Sequence, residues 1–226
     1  ALSRLQDDAV RFKSAFMRAT QYVTMIVLPM LVGLTLVAPL AVSVVFGAKW
    51  LPSVPVIRLL TLAGFFRLLM NLWPTGLEAA GKPGLRLRLS MYSVLLYLPA
   101  FAIGLHWRII GVAAGYLIAT LLVMPVVYRY VSRTIGLTLA DVWRALGATI
   151  IGCIVMAALV IALLWVSGAV AHVPEIVVLA VVVAVGAASY AAAVWVIDPQ
   201  VIRALARAIG EVLPARRDAR RAAQQA

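Results

Sequence analysis

Arg67 stands where a charge is costly. It lies inside the apolar run Val54–Ala80, about 13 residues from either end, or ~20 Å at about 1.5 Å per residue. A guanidinium that deep in hydrocarbon costs at least ~2.5–3.5 kcal/mol, so such a residue faces a bundle interior or a watery cavity. Asn71 follows one helical turn on, Pro74 interrupts the helix, and Thr75 and Glu78 continue the same polar stripe. The chemistry this pattern suits is anion binding, because the planar donor fork of arginine matches a phosphate group. The competing reading is an Arg67–carboxylate or Arg67–carbonyl contact that only braces the bundle. Arg58, just inside the membrane edge, suits an interfacial anchor and is the second candidate for a cavity cation.

Catalytic patterns are missing. His106 and His172 fall in turns, and Glu175, three residues after His172, reads as a helix cap. No HExxH, CxxC or nucleophile-elbow pattern occurs, and no acidic residue lies mid-span to serve as a proton relay. The single cysteine, Cys153, forms neither an internal disulfide nor a metal cluster and reads as a packed or lipid-facing residue. No catalytic residue, metal or cofactor is expected.

The elements that must position Arg67 follow from composition. The chain has 226 residues, 65% hydrophobic and 12% charged, whereas soluble domains average roughly 45–50% apolar and about 25% charged. That much apolar surface excludes a soluble enzyme, a disordered protein and a disulfide-stapled secreted domain. The expectation is an all-α integral membrane protein with about six transmembrane helices, at Tyr22–Phe46, Val54–Ala80, Leu89–Leu105, Ile109–Val131, Leu146–Val166 and Ile176–Ile197. The third is short and becomes convincing through its pairing with the fourth across His106–Arg108.

The formal charge of +12 sorts by side. With the first residues placed in the cytoplasm, 16 of the 20 basic residues fall on that face, Lys49, Arg58 and Arg108 fall opposite, and Arg67 remains inside. Basic loops resist translocation, so both termini of this chain are expected in the cytoplasm. The excess is a topology signal and an attraction for anionic lipids, with no need for nucleic acid. Residues 1–20 pattern as an amphipathic interfacial helix, with a solvated linker helix as the equal alternative. Residues 21–136 form a four-span unit, 140–198 a plain two-span hairpin, and 199–226 a basic tail. Pro29, Pro39, Pro74, Pro99 and Pro125 mark kinks in the first four spans, with Pro29, Pro74 and Pro99 as candidate hinges. Gly111 and Gly115 permit close helix approach. The six tryptophans sit mostly near span ends, as an aromatic belt would. The initial Ala1 suggests a piece of a longer polypeptide, with a processed terminus as the alternative.

The order VFGAKW, PVIRLLTLAGFFRLLMNL, GLEAAGKPGLRLRLS and WRIIGVAAGYLIAT resembles the polysaccharide-exporter branch of the MOP flippase superfamily, over about Arg11 to Gly136. The resemblance rests on VFG-x-x-W, the A-x-G-x-P loop at Ala79–Pro83 and the Gly111–Tyr116 stretch. It implies the C-terminal part of a two-lobed, MATE-like transporter, with the first span as third helix of the C-terminal lobe and the last two spans as an additional helix pair. It also implies a missing N-terminal lobe, the bacterial inner membrane, and a lipid-linked oligosaccharide substrate whose undecaprenyl pyrophosphate meets cavity arginines. Arg67 matches such an arginine by position. Further implied partners are membrane lipids and a polysaccharide polymerase or export machinery. A multidrug or small-molecule exporter of the same superfamily is one alternative, although such exporters usually need membrane-embedded acids. A membrane enzyme of envelope polysaccharide assembly is the other, although the outer loops here are short.

Overall fold

Hydrocarbon offers no partner to a backbone amide, so a chain this apolar must satisfy its own N–H and C=O groups within helices. The computed structural model describes residues 9–79, 83–168 and 174–197, with side chains at 13–73, 84–166 and 174–197. Six α-helices follow in chain order: α1 Ala9–Phe46, α2 Val54–Ala79, α3 Pro83–Gly104, α4 Arg108–Ile135, α5 Leu139–Gly168 and α6 Glu175–Ile197. Short 3-10 turns at Ala48–Ser53 and Leu105–Trp107 join α1 to α2 and α3 to α4. By length and composition the described residues hold five apolar runs, of which Gly84–Ile135 is 52 residues long. The turn at Leu105–Trp107 folds that run into a hairpin of two helices. Even the shortest helix, α3 with 22 residues, reaches ~33 Å, enough to cross the hydrocarbon. The protein is an all-α, multi-pass membrane protein.

The helices pack in the order α3, α4, α2, α1, α5, α6, with α6 also touching α1. Their directions alternate. At one end Phe16 of α1, Trp73 of α2, Leu89 of α3, Val131 of α4 and Leu146 of α5 share one buried cluster. At the other, Val42 of α1 packs on Val54 of α2, and the Ser43 hydroxyl donates to the Glu175 carboxylate at 2.5 Å. The first end gathers Lys13, Arg18, Arg86, Arg88, Arg129, Arg133 and Arg144, so those of the basic residues placed on one face by sequence whose side chains are described lie at one end of the bundle.

Three sequence expectations change. The helix expected to end near residue 20 instead continues unbroken into the first span. Phe16 and Thr20 are buried, so α1 carries its packing face beyond the apolar run. The third span starts at Pro83 rather than Leu89, because Arg86 and Arg88 hide two helical turns that proline opens at no cost to hydrogen bonding. Trp73 does not join the aromatic belt: it is 2% exposed and meets the Tyr128 ring at 5.7 Å. The other five tryptophans each keep more than half their surface exposed. The basic tail from residue 199, and the side chains of Pro74, Thr75 and Glu78, lie outside the described residues.

The glycines explain the tight α3–α4 hairpin. A Cβ at Gly104 would sit 2.6 Å from the Gly111 carbonyl oxygen, and one at Gly115 would sit 2.5 Å from that of Ala100. Any larger residue would force the two backbones apart. Gly47, with φ 87°, lets α1 end and Trp50 enter the following turn, which accounts for glycine in the VFG-x-x-W stretch.

Two prolines leave a more specific mark. Pro29 has no N–H for the Met25 carbonyl one turn back, and the Tyr190 hydroxyl of α6 donates to that oxygen at 2.7 Å. Pro39 likewise deprives the Thr35 carbonyl, which accepts from Arg58 Nε of α2 at 3.3 Å. Neighbouring helices replace the missing donors. Tyr190→Phe is therefore expected to destabilise the intact protein in detergent by about 1 kcal/mol, as typical for interhelical hydrogen bonds in membranes. Pro29→Ala in the same chain should remove most of that loss, because a new amide serves Met25. Denaturation of the four proteins in a double-mutant cycle measures this, and an equal Tyr190→Phe loss in both backgrounds contradicts it.

Candidate functional site

The packing order leaves a gap beside Arg67. Helices α2 and α3 both lean on α4 but scarcely touch each other, so a cleft opens between them with α4 as its floor. Toward the basic end this cleft forms a polar pocket of about 190 Å3. Arg67 and Asn71 reach it from α2, Arg86, Ser90, Ser93 and Tyr97 from α3, and Val127 closes it on α4. Toward the opposite end the cleft becomes an apolar groove of about 510 Å3 lined by Val56, Leu60, Phe101, Val112 and Tyr116, with Arg108 at its edge.

Arg67 is held from one side. Its Nη1 donates to the Tyr97 hydroxyl at 3.4 Å, and its guanidinium carbon sits 5.6 Å from the Tyr97 ring centroid, within cation–π range. The Tyr97 hydroxyl lies 3.1 Å from that of Thr120, which itself donates to the Tyr116 carbonyl at 2.7 Å. Because Thr120 spends its proton on that carbonyl, Tyr97 must donate to Thr120 and accept from Arg67. The relay thus runs in one direction and ends on the α4 backbone. Tyr97, Phe101 and Tyr116 stack with centroids 5.4 to 6.1 Å apart, forming the wall between polar pocket and apolar groove.

Among the described residues no carboxylate or backbone carbonyl holds Arg67. The bracing contacts considered from sequence are replaced by a tyrosine, which orients the guanidinium without neutralising it. The donor fork therefore keeps its charge in a half-buried, polar pocket, and this arrangement can receive an anion. No group of three or more His, Cys, Asp or Glu that could hold a metal occurs among the described residues.

Of the sequence candidates, the structure brings Arg67 and Asn71 together and leaves Arg58 elsewhere. Arg58 is exposed and turns to α1, where it serves the carbonyl orphaned by Pro39. Pro29 lies in α1, facing an apolar cleft with α5 and α6, and Pro99 is exposed on α3. Sequence reading missed Arg86, Ser90, Ser93 and Tyr97. The available signal was their spacing of four, three and four residues, which puts them on one face of a helix. It was obscured because Arg86 reads as a loop cation when the helix is taken to start at Leu89.

Fold and cleft together define a multi-pass α-helical membrane protein with a cationic pocket part-way along its bundle. Comparison with known proteins narrows the class. Residues 1–55 match the family described as "Polysaccharide biosynthesis protein". The chain is similar to an uncharacterized membrane protein in the cps region of Klebsiella pneumoniae, 34% identical over 52% of this chain and 24% of that protein. It is similar to the lipopolysaccharide biosynthesis protein WzxC of Escherichia coli K12, 30% identical over 54% of this chain and 25% of that protein. It is also similar to the teichuronic acid biosynthesis protein TuaB of Bacillus subtilis 168, 31% identical over 43% and 20% respectively. The chain is thus related to membrane proteins of polysaccharide biosynthesis, and each match spans a quarter or less of the relative's own length. No solved structure matches significantly.

If the pocket holds water, single cysteines placed at Asn71 and Ser90 in a cysteine-free form of the intact protein should react with a charged, water-borne thiol reagent. A cysteine at Leu98, exposed on α3 outside the pocket, should react at least about ten-fold more slowly, because hydrocarbon excludes the charged reagent. Equal protection of all three positions would contradict a wet pocket.

Proposed function

We propose that the intact protein is a flippase that moves lipid-linked oligosaccharide, carried on undecaprenyl pyrophosphate, across the bacterial cytoplasmic membrane for cell-surface polysaccharide synthesis. In this reading the chain supplies part of the C-terminal lobe, both of its termini are cytoplasmic, and the transported head group is not chemically changed. The relatives' names support the pathway. The observation that carries the mechanism is Arg67, held by Tyr97 but not neutralised by any described carboxylate, in a pocket it shares with Arg86.

The physical problem is a sugar and two phosphates crossing a layer that solvates neither. Fixed donors in the pocket substitute for water around the phosphate and lower that cost. Arg67 presents its planar fork to the anion, Asn71, Ser90 and Ser93 offer neutral partners, and the adjoining apolar groove suits the lipid portion of an amphiphile. Transfer follows when one lobe rocks against the other and exposes the same pocket to the far side. Pro74 and Pro99 are proposed points of bending, because each weakens the hydrogen-bond ladder of its helix, and Pro29 is a third, where bending would have to release the Tyr190 bond to the Met25 carbonyl.

Arg67→Ala in the intact protein is expected to cut surface polysaccharide by about ten- to a hundred-fold, the equilibrium equivalent of one charged hydrogen-bonding partner, while membrane insertion is retained. Normal output from a well-expressed Arg67→Ala protein would overturn the site. Full activity of Arg67→Lys would show that charge suffices without the guanidinium fork. Tyr97→Phe keeps the ring but removes the hydroxyl, so a smaller loss of export is expected, with the same readout.

A further inference from the structure

A second polar cleft lies on the far side of α1 from the Arg67 pocket. At the basic end, α1 and α5 part around a space of about 360 Å3 lined by Lys13, Arg18, Gln21, Asp141 and Arg144, with Met17 beneath them. Its frame is tied on three sides. Lys13 Nζ bonds the Gly136 carbonyl at 2.7 Å and the Asp141 carboxylate at 2.6 Å. Asp141 also accepts from the backbone N–H and the hydroxyl of Thr138, and the Thr138 hydroxyl oxygen in turn accepts from the Asp141 backbone N–H. This reciprocal cap opens α5, while Gly136, at φ 69°, closes α4.

One carboxylate of the cleft is thus consumed by Lys13 and by its own helix start. Two cations are not. Arg18 and Arg144 are exposed and meet no carboxylate among the described residues, and Arg18 has a 3.5 Å hydrogen bond to the Ser14 hydroxyl. With Lys13 set against Asp141, the cleft keeps two positive charges. Its depth is marked on α5 itself: Trp143, 62% exposed, stands next to Arg144, and the buried run of α5 begins directly afterwards at Ala145 and Leu146. An exposed indole at the start of an apolar span belongs at the head-group level. Two guanidiniums thus line the same space as Met17 and Ala145 at that level.

We propose that this cleft binds the phosphodiester of an anionic membrane phospholipid, gripped between Arg18 of α1 and Arg144 of α5. The lipid then bridges α1 and α5 at the basic end. The apolar Met17 and Ala145 and the neighbouring tryptophan favour a lipid over a free anion. This site stands independently of the flippase reading, since it uses neither the α2–α3 cleft nor any transported molecule.

The test uses the intact protein, purified in a neutral detergent with phosphatidylcholine. Phosphatidylglycerol, further phosphatidylcholine or inorganic phosphate is titrated while the melting temperature is followed. Phosphatidylglycerol should raise it by several degrees and the other two should not. In the Arg18→Gln/Arg144→Gln protein the apparent affinity for phosphatidylglycerol should fall about thirty-fold, with the melting temperature in phosphatidylcholine alone unchanged. Native mass spectrometry of single Arg144→Gln, which leaves the Lys13–Asp141 tie intact, should show an affinity for phosphatidylglycerol lowered by about five-fold. An unchanged shift in the double variant, or equal stabilisation by phosphatidylcholine, would overturn the site. Equal stabilisation by inorganic phosphate would overturn the lipid as its occupant.

Discussion

Backbone carbonyls inside a hydrocarbon-spanning helix need donors, and proline withholds one from the turn before it. In this bundle the answer comes from the next helix over. Tyr190 of α6 serves Met25, and Arg58 of α2 serves Thr35. Helix α1 is thereby pinned on one side by α2 and on the other by α6, at the very points where its own ladder is broken. The same economy governs its hydroxyls: Thr20, Thr24 and Thr35 each donate to carbonyls of their own helix, so buried threonines add no unpaired donor.

That constraint also separates two arginines that sequence alone treats as similar. Arg58 gives its Nε–H to a backbone deficit on α1 and lies outside the pocket. Arg67 meets a tyrosine, whose hydroxyl is itself committed to Thr120 and the α4 backbone. A phenol orients a guanidinium but brings no negative charge, so the cation stays available to an anion. The cleft exists because α2 and α3 lean on α4 rather than on each other, and the α3–α4 contact is close only because glycines line it. Packing with small residues on one side of α3 therefore leaves room for chemistry on the other.

Much of the fold was legible in particular residues. The apolar runs gave the helices, and the alternation of basic residues gave the two ends, because both are one-dimensional properties of a chain that must cross a slab. The short turn at His106–Arg108 gave the hairpin, and the glycines at 111 and 115 a close helix approach. What escaped was local. Arg86 and Arg88 concealed the true start of α3, since a charge near a span end reads as loop although helices extend into the head-group layer. Trp73 resembled a belt residue by position but is enclosed by Phe16, Leu89 and Val131.

By itself the sequence determined that this is an all-α membrane protein, about how many apolar helices its described residues hold and which of their ends share a face, because hydropathy and charge are summed along the chain. It also singled out Arg67, since a lone charge in an apolar run is costly wherever the helix packs. Only the tertiary structure decided that Arg86, Ser90, Ser93 and Tyr97 join Arg67 and Asn71 in one pocket while Arg58 does not. Those neighbours are set by helix rotation and by which helices touch, and neither is written in any single span.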